Sequence, residues 1–188
     1  ARFAGSNPKF DGIPHEGHYT QEEIKEIIEY AEERYVEVIP EIDMPGHTAS
    51  LIASYPELGT SKEKINVKKI WGVQDDILIP TENTFNFLEN IISEVVTLFP
   101  SEYIHIGGDE ARKKQWIESD EVQSIMRDLE IHDEDSLQTY FISRVQKIIS
   151  KFDKKIIGWD EIIEGGLVKD ATVMSWRGEE GGIFAARS

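Results

Sequence analysis

No cysteine occurs anywhere in the 188 residues, which excludes disulfides and thiolate-held metals. No apolar run approaches 18 residues, so a membrane-spanning helix is not expected. A basic stretch followed by an apolar one is also missing from the first residues, and no signal peptide is visible there. Positive charge is scarce: 20 Lys and Arg stand against 36 Asp and Glu, a net charge of −16. That balance argues against nucleic acid and anionic membrane as partners and favours a neutral or cationic substrate. With no low-complexity tract, linker or repeat, the chain reads as one domain long enough for a sizeable core.

The most informative stretch that is present is Tyr103-Ile104-His105-Ile106-Gly107-Gly108-Asp109-Glu110. A short β-branched run reads as a buried strand, two glycines break it, and two carboxylates follow. Successive strand residues point to opposite faces, so Asp109 and Glu110 share one pocket only if the backbone has already turned. The glycines permit that turn and leave room for a ligand to approach the backbone. The dipeptide alone carries little weight, because Asp133-Glu134, Asp160-Glu161 and Glu179-Glu180 are further acidic pairs of this acidic chain.

Residues 1–19 read as a loop. Thr20 and Glu23 form a capping box for a helix that ends near Arg34, with Ile24, Ile27, Ile28 and Ala31 as its apolar stripe. Residues 35–39 are the first expected strand, and Pro40-Glu41-Ile42-Asp43-Met44-Pro45-Gly46-His47 follows it, with prolines that preclude a helix. Residues 55–80 read as an excursion over the rim. Phe85, Leu88, Ile91, Ile92, Val95, Val96 and Phe99 fall at helical spacing up to Pro100. Beyond the central strand, Ser119 starts a helix through Leu129, and Asp135 with Gln138 caps a longer one through about Lys151. Residues 155–159 and 171–176 are the third and fourth strands, and a last helix starts near Glu180.

Helices alternating with short buried strands mean parallel strands. All four strands are followed by Asp, Glu, His, Trp or Arg, as at the active-site face of an α/β barrel. On pattern alone a doubly wound open sheet fits as well.

The stretch His105-Ile106-Gly107-Gly108-Asp109-Glu110 resembles the signature of the family 20 glycoside hydrolases, the β-N-acetylhexosaminidases. Val38-Ile39-Pro40-Glu41-Ile42-Asp43-Met44-Pro45-Gly46-His47, Gly158-Trp159-Asp160-Glu161 and Val173-Met174-Ser175-Trp176-Arg177-Gly178 resemble three further motifs, in the family's order. The resemblance implies a TIM (β/α)8 barrel, of which four strands are about the middle half, strands 3 to 6, so that residues 1–188 form a partial catalytic domain. It further implies substrate-assisted hydrolysis of terminal β-linked N-acetylhexosamine with retention, with neither cofactor nor metal, in a secreted, periplasmic or lysosomal setting. Glu110 is then the general acid and later the base. Asp109 orients the 2-acetamido group and stabilises the oxazolinium intermediate, and His47 relays to Glu110. Trp159 and Trp176 wall an acetamido cage, while Asp43, Glu161 and Arg177 contact sugar hydroxyls or brace the rim.

Two other readings stand beside this one. Glu41, Asp43, His47, His105, Asp109 and Glu110 are residue types that also hold divalent metals at barrel strand ends. A non-catalytic sugar-binding barrel fragment keeps the pocket without turnover. Four strands excised from a closed barrel leave open edges, so self-association of the chain is expected.

Overall fold

The computed structural model describes residues 11–61 and 64–187. The part of the expected N-terminal loop that falls on residues 1–10 lies outside the described residues. Three strands, β1 (Tyr103–His105), β2 (Lys155–Trp159) and β3 (Thr172–Met174), form a parallel sheet in the order β1-β2-β3. The registers Tyr103↔Lys155 and Gly158↔Val173 bring the ends of β1 and β2 out on one side. Among the described residues seven α-helices accompany them: α1 (Gln21–Glu32), α2 (Ala49–Ser54), α3 (Glu82–Leu98), α4 (Lys114–Glu118), α5 (Asp120–Asp128), α6 (Glu134–Ser150) and α7 (Glu180–Arg187). Among the described residues no helix is long and apolar enough to cross a membrane.

The strand expected over residues 35–39 is not formed. The chain instead meets the free side of β1 later, at a single parallel bridge between Glu41 and His105. There the His105 N–H donates to the Pro40 carbonyl, and the Ile42 and Met44 N–H groups donate to the carbonyls of His105 and Ile106. Continuing this ladder backward needs an N–H on residue 40, which proline lacks, and the N–H of Tyr103, which donates to Ser101 Oγ. Tyr35 and Val36 are accordingly exposed, and Tyr35 has φ of 57°.

The helix ends follow from side-chain acceptors. Thr20 and Glu23 make the expected capping box at α1, and Ser119 caps α5. At α6 the cap is Asp133 rather than Asp135: Asp133 has extended backbone and accepts from Ser136 N–H, so the helix starts two residues early. Gln138 is therefore no capping partner but a buried residue of the second turn.

Between the sheet and α3 and α6 lies the main core, where Phe85, Leu88 and Ile92 meet Phe141, Val145 and Ile149 beneath Ile104, Ile106 and Ile156. The Phe85 and Phe141 rings lie 5.2 Å apart. Arg144 covers Phe85 with its guanidinium 4.2 Å from the ring centroid and pairs with Glu82 at 2.6 Å, so it joins α6 to α3. The excursion over residues 55–80 leaves from and returns into the core. Leu58, Ile77, Leu78 and Ile79 are fully buried, and Gly59 bridges Leu78. The buried Trp116 of α4 donates from Nε1 to the Leu78 carbonyl.

Of the α1 stripe only Ile28 is buried, while Ile27 is 43% exposed. Phe85→Ala should therefore cost about 3–5 kcal/mol of stability. Ile27→Ala should change it by less than about 0.5 kcal/mol. Urea unfolding of both variants checks this contrast, which disappears if α1 packs as deeply as its apolar spacing predicts.

Candidate active site

Beyond His105 the backbone enters the left-handed region at Gly107 (φ 66°) and Gly108 (φ 92°), and again at Glu110 (φ 49°). Both glycines are required by contact as well as by angle. A Cβ on Gly107 would fall inside the Asp43 carboxylate, and one on Gly108 would strike Ile162. The turn is held by groups from several parts of the chain. Gly107 N–H donates to His105 Nδ1 at 3.0 Å, and its carbonyl accepts from the Trp159 N–H at 2.8 Å. Gly108 N–H donates to Asp43 Oδ1 at 3.1 Å, and its carbonyl accepts from Gln138 Nε2 at 2.7 Å. Glu110 N–H donates to Glu161 Oε2 at 2.8 Å.

The limb carrying Asp43 and His47 lies against this turn because position 46 has no side chain: a Cβ there would sit 3.1 Å from Ala111 Cα. His47, with φ of 54°, reaches both carboxylates through one nitrogen. Its Nε2 lies 3.5 Å from Asp109 Oδ2 and 3.4 Å from Glu110 Oε2. The other Asp109 oxygen, Oδ1, is buried with no hydrogen-bond partner among the described residues. A buried acceptor of this kind is costly unless a donor arrives. Burial and the neighbouring Asp109 push the Asp43 carboxyl up to about 7.

The other expected residues divide. Asp43 and Glu161 are joined to the turn through backbone amides. Trp159 donates from Nε1 to Glu41 Oε1 at 3.0 Å, and its ring lies 4.8 Å from that of His105. Arg177 pairs with Glu164 at 2.6 Å and lies 3.4 Å from Asp160 and 3.9 Å from Glu161. Trp176, 49% exposed, has no hydrogen bond or ring contact with the other candidates among the described residues. Of the six residues with metal-binding side chains, Asp43, His47 and Asp109 present atoms within 4.8 Å of one another. His105 Nδ1 is already taken by Gly107. Sequence reading missed Gln138 as an anchor of the turn and Glu41 as the partner of Trp159. The signal for Gln138 was its place in the buried phase of α6, three and four residues before Phe141 and Ile142.

Acids and a histidine gather past the ends of parallel strands, as at the catalytic face of a TIM-barrel enzyme. The chain belongs to glycosyl hydrolase family 20: the model described as "Glycosyl hydrolase family 20, catalytic domain" matches residues 3–187. It is 48% identical over 177 residues to a beta-hexosaminidase of Porphyromonas gingivalis, covering 94% of this chain and 23% of the relative. It is 38% identical over 176 residues to a beta-hexosaminidase of Vibrio furnissii, covering 92% and 29%. Among solved structures it is similar to the chitobiase of Flavobacterium johnsoniae, with a TM-score of 0.81 and 37% identity over 88% of this chain and 25% of that one. A beta-N-acetylhexosaminidase from Bacteroides fragilis matches with a TM-score of 0.78 and 35% identity over 91% and 35%. The chain thus spans about a quarter of the length of the first two relatives.

The raised Asp43 carboxyl has a consequence for stability. Between the ordinary Asp value of 3.8 and about 7 the folded protein holds a proton that the unfolded chain releases, so stability falls as pH rises through that window. Asp43→Asn keeps the acceptor for Gly108 and removes this slope. Its melting temperature relative to wild type should therefore increase between about pH 4 and pH 8. Equal differences at both pH values would contradict the assigned proton.

Proposed function

We propose that the protein carrying this chain hydrolyses terminal β-linked N-acetylhexosamine with retention of configuration, and that the substrate's 2-acetamido group is the nucleophile. The observation that carries the reading is Asp109: one oxygen faces His47, and the other is a buried acceptor with no partner among the described residues, beside Glu110. An acetamido N–H fits that acceptor. Held there, the acetamido carbonyl oxygen attacks the anomeric carbon as the glycosidic bond breaks, and Glu110 protonates the departing oxygen. The carboxylate of Asp109 stabilises the oxazolinium that forms. Water then attacks the anomeric carbon, gives its proton to Glu110 and releases the acetamido oxygen.

His47, within reach of both acids, relays charge to Glu110. Trp159 and Trp176 wall the acetamido pocket. Asp43 and Glu161 act by bracing the turn, and Arg177 by holding Asp160, Glu161 and Glu164 in place. The relatives named beta-hexosaminidase support the substrate class.

In the same reading, residues 1–188 are the middle half of the barrel, strands 3 to 6, with the Glu41 bridge standing for strand 3. The open side of β3, where Met174 is 40% exposed, and the exposed Tyr35, Val36 and Ile27 then face the other half. The isolated chain should self-associate through these faces. Light scattering of purified residues 1–188 checks this, and a stable monomer would contradict the half-barrel assignment.

In the complete enzyme, Glu110→Gln should lower hydrolysis of a natural disaccharide at least about 100-fold, with a smaller loss on aryl glycosides whose leaving groups need less protonation. Asp109→Asn should raise the barrier by about 2–4 kcal/mol and weaken binding of thiazoline mimics of the cyclised intermediate. Single-turnover kinetics and calorimetry check these roles. Equal losses on both substrate types, or unchanged thiazoline affinity, would remove the respective residue from its role.

A further inference from the structure

Three amides of the acid-bearing turn, those of Gly107, Gly108 and Glu110, end on side chains. Two of the acceptors, Asp43 and Glu161, come from neighbouring limbs. The third is His105, the last residue of β1, only 5% exposed. Its Nδ1 accepts from Gly107, so that nitrogen bears no hydrogen and the ring proton sits on Nε2.

Glu41 Oε1 lies 3.3 Å from the same Nδ1, yet two acceptors facing each other make no ion pair. The Glu41 carboxylate is engaged by Trp159 Nε1 instead, at 3.0 Å. Burial lowers the proton affinity of His105 and keeps the ring neutral, against the opposing pull of Glu41 and Asp109. Its Nε2 is buried with no partner among the described residues. The ring also packs on Trp159, tilted by 58°.

We propose that His105 is a positioning residue: its neutral, Nδ1-accepting ring holds the Gly107 amide, and through that bond fixes where Asp109 and Glu110 stand. Without the acceptor, a buried N–H at the first residue of the turn goes unpaired, and the left-handed conformation of Gly107 loses the bond that selects it over the many others open to glycine. Displacement of about 1 Å at a reacting group is enough to cost about 100-fold in rate. The acids are two and three residues beyond Gly107, so a shift there is carried directly to both.

Two variants separate this role from simple packing. His105→Asn keeps an oxygen near the position of Nδ1 and still accepts, whereas His105→Leu fills space and does not. Both lose the ring contact with Trp159, and His105→Leu also leaves the Gly107 N–H unpaired, so it should be the less stable of the two. In the complete enzyme His105→Leu should lower kcat about 100-fold with KM nearly unchanged, and His105→Asn should stay within about tenfold of wild type.

The kinetic arm rests on the hydrolytic reading above; two further measurements do not. Amide exchange at Gly107 should accelerate in His105→Leu and stay slow in His105→Asn. Nitrogen-15 spectra of the histidines should show the His105 Nδ1 without a proton near neutral pH. A protonated Nδ1, or equal exchange in the two variants, overturns the proposal. So does equal kcat in the two variants. Should the wild-type enzyme fail to hydrolyse N-acetylhexosaminides, the functional reading falls, and exchange and nitrogen shifts still decide the role of His105.

Discussion

The structure depends on how few of the peptide groups from Gly107 to Glu110 are left to ordinary secondary structure. A strand would have paired them with a neighbouring backbone. Here the Gly107 carbonyl still pairs with the Trp159 amide of β2, but His105, Asp43, Glu161 and Gln138 take four of the other groups, from β1, the 41–47 limb, the segment after β2 and α6. Each of those groups has to be delivered by its own element, so the packing of α6 and the parallel register of β1 with β2 are conditions of the site. The absent side chains of Gly107, Gly108 and Gly46 are the complementary condition, because they let Asp43, Ile162 and Ala111 come within contact distance.

This arrangement concentrates negative charge in one small volume. Asp43, Asp109, Glu110 and Glu161 meet at the turn and Arg177 links Glu161 to Asp160, with His47 and Arg177 as the nearby donors. Burial and mutual repulsion are relieved in part by a proton on Asp43, which at about 7 remains partly neutral under mild conditions. A neutral Asp43 removes one negative charge from beside Asp109. The division of labour between two nearby acids follows from which of them is the more desolvated.

Much of this was legible in the residue order. The strand, the double glycine and the paired acids read directly as a turn that aims carboxylates out of a sheet, and the capping signals at Thr20 and Ser119 are matched by the structure. What periodicity does not carry is which partner takes each hydrogen bond. Residues 35–39 have the composition of a strand. Their ladder fails because Pro40 has no N–H and Ser101 captures the N–H of Tyr103. Asp133 outcompetes Asp135 as a cap although both are good capping residues, because the extended backbone falls at 133. Gln138 reads as polar and helical, and only the fold shows that it reaches the Gly108 carbonyl. Ile77 and Ile79 lay inside a stretch read as rim, yet with Ala111, Trp116, Val122, Met126 and Leu137 they form a second buried cluster.

The central claim is that the substrate's own acetamido oxygen does the attacking, oriented by Asp109. The most direct measurement is the rate of the complete enzyme on substrates whose acetyl group carries zero, one, two or three fluorines. Fluorine withdraws electrons from the amide carbonyl and weakens it as a nucleophile, while leaving the sugar and leaving group unchanged. The account predicts a steep fall in kcat/KM with each fluorine, and retained configuration in the product throughout. A rate insensitive to fluorination would contradict it, since a protein carboxylate or a water attacking in place of the amide would not feel the substitution.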